Sequence, residues 1–300
     1  MVLSSGTQIL MFHRVMPDEK AAFDLPNCYR IRGTAWTEKE FEQFIQGCVD
    51  NIPLENIESA LEETSDIPIG TVITFDDGYK EHKDVVCPIL QKYGCTATFY
   101  VATGIHAASH KKAPVDAWYW LLDHAIHPNI EIKFPSGNRY RSSLNCLEDK
   151  IQWVQGAPKK EFLEAGVGEQ QEIISLLEKA VKITLPNDLN EQLYLHPNDW
   201  KYLVDQGMRI GAHSISHPRL SQLSVCERKK EIDCSIDTIE KLCSPVTFAY
   251  PDGAYDEAVV EYMKTTRARS SVTCVQGLVQ QTTTLHQIPR IFMNSPYCVV

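Results

Sequence analysis

Seven short apolar, β-prone runs recur along the chain with helical patterns between them, and that alternation restricts the available folds more than any other feature. The runs are Ile9 to Phe12, Thr71 to Phe75, Thr98 to Val101, Arg209 to Ala212, Val246 to Tyr250, Ser271 to Val275 and Ile288 to Phe292. After the first run, Thr37 and Glu40 predict a capping box, and Phe41, Phe44, Ile45 and Cys48 then fall on one helical face. Ser224 and Glu227 repeat the device before Ile232, Ile236 and Ile239. Val85, Val86, Ile89, Leu90 and Tyr93 mark another amphipathic stretch, which Pro88 must start or kink. Strands alternating with helices predict a parallel sheet, and seven or eight such units predict closure into an α/β barrel. From about 105 to 197 the rhythm fails. This stretch reads as a helical insertion, a lid or subdomain, with patterns such as Ile173, Ile174, Leu177 and Val181. The expected organisation is one domain over 1–300 carrying that insertion.

Composition narrows the partners. With 29 Lys and Arg against 39 Asp and Glu, the net charge of −10 gives no global attraction to nucleic acid or to an anionic membrane. Ten cysteines occur without any C-x-x-C pair, so neither a zinc ribbon nor a small disulfide framework is expected. No window approaches the ~20 apolar residues of a membrane span, and the start MVLSSGTQILMFHRV lacks the pattern of a signal peptide. A cytoplasmic protein is the expectation, a secreted one if a signal has been trimmed; the oligomeric state is left open.

In such barrels the chemistry gathers at the C-terminal strand ends. Asp76 and Asp77, in "TFDDGYKEH", follow the second run, His213 follows the fourth, and Pro251, Asp252 and Gly253 follow the fifth. In "GAHSISHPRL", His213 and His217 stand one helical turn apart, a spacing at which both imidazoles can converge on a cation. Two neutral imidazoles and one carboxylate make an open site for a divalent ion, with zinc the default and cobalt, nickel or iron also accommodated. A second carboxylate beside the bound water can take its proton.

"TFDDGY" at 74–79, "HSISH" at 213–217 and "FAYPDGAY" at 248–255, with the flanking "LMFHRV" and "IPRI", resemble in order the motifs of the polysaccharide deacetylase family, also called NodB-homology or carbohydrate esterase family 4. The resemblance implies a distorted (β/α)7 barrel similar to a TIM barrel. It further implies Asp76 as general base, Asp77, His213 and His217 as metal ligands, and removal of an N-acetyl group from an amino sugar or N-acetylated polysaccharide. The backbone amide of Asp252 is the implied oxyanion donor. His13, in "MFHRV", is the first choice for the acid that protonates the departing nitrogen, ahead of His286.

The chain departs from the family pattern at the third motif. Ala249 stands where many members have an Arg that holds the catalytic Asp, and Arg290 is expected to supply that charge. Tyr250, Pro251 and Trp118 are expected to bind substrate, since aromatic planes pack on apolar sugar faces. Tyr79, Tyr119, Trp120 and Tyr255 are further candidates. Two other readings are a deformylase or other amide hydrolase on a modified sugar or secondary metabolite, and a catalytically silent carbohydrate-binding protein.

Overall fold

Residues 6–18, 26–48, 50–106 and 113–296 are described by the structure, a computed structural model. Eleven strands are defined among them: β1 (Gln8–Phe12), β2 (Arg14–Met16), β3 (Ala35–Thr37), β4 (Thr71–Phe75), β5 (Thr98–Val101), β6 (Asn129–Lys133), β7 (Arg139–Ser143), β8 (Arg209–Ala212), β9 (Val246–Ala249), β10 (Ala268–Val272) and β11 (Ile291–Phe292). Seven of them form one sheet in the order β10-β9-β8-β5-β4-β1-β11, with every pair parallel. The chain segment entering β11 approaches the far edge. Ile288 N–H donates to the Ser271 carbonyl at 3.0 Å, and Thr273 N–H to that of Ile288 at 2.9 Å, so the curled sheet draws toward closure as a distorted β/α barrel.

All seven expected strands exist; β4, β5 and β8 keep the predicted bounds and the other four shift at one or both ends. β10 begins and ends three residues before the predicted Ser271–Val275, and β11 keeps only the last two residues of its predicted run. Both capping boxes form. Thr37 caps the helix Glu38–Gln46, and Ser224 caps the helix Val225–Glu240. Pro88 follows closely on a π-helical turn, His82–Val86, that runs into the helix Cys87–Lys92, so the wider turn lies where the proline interrupts the regular ladder.

Phe12, Phe75 and Phe99 stand in register on β1, β4 and β5 and stack, with ring centroids 5.3 Å and 5.1 Å apart. This apolar layer sets the level of the residues that follow it. Directly above come His13 and Asp76, and the Asp76 N–H extends the ladder by donating to Phe12 O at 3.0 Å.

The insertion packs around a second core, which includes Trp118, Trp153, Phe134, Phe162 and Leu177 and is shared with Cys28, Tyr29, Ile31 and Tyr79 from outside it. It is not purely helical. β6 and β7 form an antiparallel hairpin, with Ile130 and Ile132 facing inward while Asn129, Glu131 and Lys133 face out. Both ends of the insertion are tied to the barrel. Thr103 and Gly104 donate to the carbonyls of Ser214 and Ile215 at 3.0 and 2.8 Å; Leu195 donates to Gly78 O and Lys80 to Leu193 O, each at 2.8 Å. No helix among the described residues is long and apolar enough to cross a membrane.

Candidate active site

The two adjacent aspartates end in opposite surroundings. Asp76 is 3% exposed, and Arg290 grips it with two hydrogen bonds, Nη1 to Oδ1 at 2.6 Å and Nη2 to Oδ2 at 2.7 Å. Arg290 is itself fully buried, with Nε donating to Thr273 O at 2.9 Å. Burial pushes the Asp76 carboxyl up, but the guanidinium's charge and hydrogen bonds outweigh it and hold the carboxyl below its usual value. Arg290 therefore occupies the place expected for it, supplying from β11's approach the cation absent at Ala249.

Asp77 turns away from that pair. Its φ of 74° is left-handed, and Gly78 follows at 78°. A Cβ on Gly78 would come within 2.9 Å of Val101, so the turn needs glycine both for its angle and for its closeness to β5. The reversal brings Asp77 Oδ1 to 3.3 Å from His217 Nε2 and 3.5 Å from His213 Nε2.

The imidazoles do not converge through a helical turn, as their spacing predicted. Residues 213–217 form a loop in which Ser214 (φ 63°) and His217 (φ 58°) are both left-handed, and Ser214 Oγ accepts the His217 N–H at 3.0 Å. His213 Nδ1 lies 2.7 Å from Ala249 O; a carbonyl only accepts, so Nδ1 carries a proton, and Nε2 is the ring atom turned to Asp77 and the pocket, the one that can ligate a cation. One donor atom from each of Asp77, His213 and His217 lies within 4.8 Å of the others. That donor set suits a divalent cation, with coordination positions left over for water and substrate. Without a cation, burial depresses His217 but the hydrogen bond it donates to Asp77, with that carboxylate's charge, prevails, and the ring is pushed up to about 9; Asp77 in turn is held well below the ordinary carboxylate range.

His13 lies at the same strand end, 5.5 Å from the ring of Phe292, with Nδ1 buried and without a hydrogen-bond partner among the described residues. Burial lowers its pKa while the charges of Asp77 and Asp76 work against the fall. Asp252 is left-handed at φ 53°, and its carboxylate accepts from Arg219 Nε at 3.2 Å. Pro251 is buried at the head of that turn.

Two expected sugar platforms lie elsewhere. Tyr250 is fully buried, stacked on Tyr255 at 4.7 Å, with its hydroxyl donating to His286 O. Trp118 is fully buried in the insertion core, with Nε1 donating to Trp153 O at 3.0 Å. Neither exposes a ring face to a ligand, because each residue points into a core that closes over it. Tyr79 is also buried, but the structure gives it a partner the sequence did not announce: Asp116, from the insertion, accepts hydroxyls from Tyr29, Tyr79 and Tyr194. Also unread in the sequence is His82, whose Nε2–H donates to His13 O at 2.6 Å.

Paired carboxylates and two histidines meet at the C-terminal strand ends of a parallel barrel-like sheet, the place where such barrels carry their active sites. The family model for polysaccharide deacetylases matches residues 68–132 and 160–270, more than half of the chain, and the chain belongs to that family of amide hydrolases. No curated protein matches it. Solved structures of similar fold include the Streptococcus pyogenes deacetylase PplD, determined with acetate, at 18% identity and TM-score 0.60, covering 97% of this chain and 93% of that one. The BpsB deacetylase domain from Bordetella bronchiseptica follows at 15% identity and TM-score 0.54, covering 95% of each chain. IcaB from Ammonifex degensii gives 13% and 0.54, covering 96% of this chain and 92% of its own.

Proposed function

We propose that this chain is a metal-dependent N-deacetylase of an N-acetylated amino sugar, free, nucleotide-linked or polymeric. The observation that carries the reading is the meeting of Asp77, His213 and His217 beside the Asp76–Arg290 pair. In this reading Asp77, His213 and His217 hold one divalent ion, zinc by default, which when bound polarises the acetyl carbonyl and acidifies water. Asp76 takes the proton of the attacking water. Arg290 is its positioning residue, fixing the carboxylate's orientation and keeping it ionised. The Asp252 amide faces the developing oxyanion, and Pro251 shapes that turn. His13 hands a proton to the departing nitrogen, and burial, which lowers its pKa, favours that release.

One domain over 1–300 and a reducing, cytoplasmic setting belong to the same proposal, the latter supported by nine free cysteines among the described residues. The four intact side chains favour turnover over a silent binding protein, and acyl preference on paired acetylated and formylated sugars separates a deacetylase from a deformylase. The direct test is acetate release with elemental analysis. Asp76→Asn should lose on the order of a thousandfold in turnover while keeping its ion, and His213→Ala should lose both. Normal turnover by the Asp76→Asn protein would remove Asp76 from its role.

A further inference from the structure

One fully buried histidine has no task in this account. His82 opens the π-helical turn His82–Val86, on the segment that leads away from Asp76 and Asp77. Its ring packs on Phe75 and Phe99, with centroids 5.0 Å and 5.2 Å away. Nε2 lies 2.6 Å from His13 O, while Nδ1 is buried without a hydrogen-bond partner among the described residues. A carbonyl only accepts, so the ring's proton sits on Nε2 and is spent on this one bond. Burial keeps the ring in that neutral form, with its pKa pushed down to about 4.

The acceptor stands at a junction. β1 ends at Phe12 and β2 begins at Arg14, so at His13 the chain leaves the seven-stranded sheet for the two-stranded β2–β3 sheet. The backbone on either side is held by its own ladder: Phe12 O accepts the Asp76 N–H, and Arg14 N–H donates to Thr34 O, each at 3.0 Å. The His13 carbonyl falls in the gap between the two ladders, and the His82 ring meets it there. One step along each strand of chain, Arg14 pairs with Glu81. Residues 13–14 are thus stitched to 81–82 by side chains, and 81–82 continue the segment that carries both aspartates.

We propose that His82 is a positioning residue for the proton donor of the reaction: its hydrogen bond fixes the His13 peptide, and with it the height at which the His13 ring meets the departing nitrogen. The inference rests on the deacetylase reading and deepens it. His82 touches neither substrate nor ion in this account, so its loss displaces the donor and leaves the ligand trio in place. A misplacement of about 1 Å is enough to slow a proton transfer substantially. The cost falls on kcat, and it falls on leaving groups that need a proton.

The experiment compares, in the full chain, His82→Met, which removes the donor, with His82→Gln, whose side-chain amide offers one at similar reach. Each is assayed for acetate release from N-acetylglucosamine tetramer and for hydrolysis of 4-nitrophenyl acetate, whose phenolate departs without a proton. His82→Met should lower kcat on the amide roughly tenfold or more, with KM and ion content near those of the wild type, and lower ester hydrolysis by less than about threefold. His82→Gln should recover most of the amide rate. Equal losses on amide and ester, a loss that appears in KM or ion content instead of kcat, or no recovery with glutamine would reduce the ring to a packing residue and overturn the proposal. If His82→Met does not fold, His82→Phe, which keeps a ring on Phe75 and Phe99, takes its place. Independently, ¹⁵N NMR of the histidine-labelled wild type should find His82 neutral at pH 7 with its proton on Nε2; a proton on Nδ1 breaks the argument. Absence of acetate release by the wild type would bring down the deacetylase reading itself, whereas acetate release with amide and ester losses in step removes only the part given to His82.

Discussion

The barrel buries an acid–arginine cluster at each end. At the C-terminal strand ends Asp76 is clasped by Arg290; at the N-terminal ends Glu58, fully buried, accepts from Arg209 Nη1 at 2.8 Å, from Arg269 Nη1 at 3.4 Å and from the Ser270 hydroxyl. By burial and pairing the two look alike. What separates them is the next shell outward. Beside Asp76 stand a carboxylate and two imidazoles aimed at a common point, whereas Arg209 turns its remaining donors onto the Pro245 carbonyl and Glu55, and Arg269 onto Glu62. A buried ion pair is therefore weak testimony about function. Unspent ligand atoms next to it are the stronger sign.

That contrast can be broken by substitution. Arg290→Gln should strike both properties at once, lowering turnover about a hundredfold or more and stability by about 3–5 kcal/mol, because it strands a buried carboxylate. Steady-state kinetics and denaturant unfolding read the two effects. A stability loss with turnover intact would make the upper pair merely a copy of the lower. Glu58→Gln should cost less, about 1–3 kcal/mol, because Arg209 keeps Glu55 and the Pro245 carbonyl and Arg269 keeps Glu62, and it should leave kcat of the folded protein unaltered at low temperature. A large fall in kcat there would dissolve the distinction between the two ends.

Acid should sharpen it further. His82 sits under the upper site, and burial pushes its pKa down from 6.5 to about 4. Between those values the unfolded chain binds a proton that the folded chain refuses. The stabilisation is complete above pH 6.5 and is lost as pH falls through 4, worth up to about 3 kcal/mol. Thermal unfolding across pH 7 to 4 should therefore fall less steeply for His82→Gln than for the wild type. Equal slopes would show that His82 is not the proton-refusing group.

The upper end was legible because its chemistry is written in residue types at strand ends: "DDG", "HSISH" and the Arg of "IPRI" each keep their identity whatever the exact backbone. The backbone between the histidines was not legible. Their spacing fits a helical turn, and the contrary hint was Pro218, which disfavours right-handed helix at His217. Trp118 and Tyr250 were misplaced because an aromatic's type does not encode which way its ring points; that depends on cores assembled from distant segments. The hairpin β6–β7 alternates clearly at Ile130 and Ile132, a signal obscured by the helical patterns on either side. Asp116 with its three tyrosines gathers residues from 29 to 194, and no local pattern can announce a meeting over that separation.

The tethering of the insertion has a practical corollary for protein engineering. One of its ends is strapped to the loop bearing Asp77 and the other to the loop bearing both histidines. Excising 105–197 to make a minimal barrel would take away Leu193 and Leu195, the strap on the Asp77 loop, while Thr103 and Gly104 would stay behind on the histidine loop. Transplanting the ion-binding trio onto another scaffold would likewise call for both straps to travel with it.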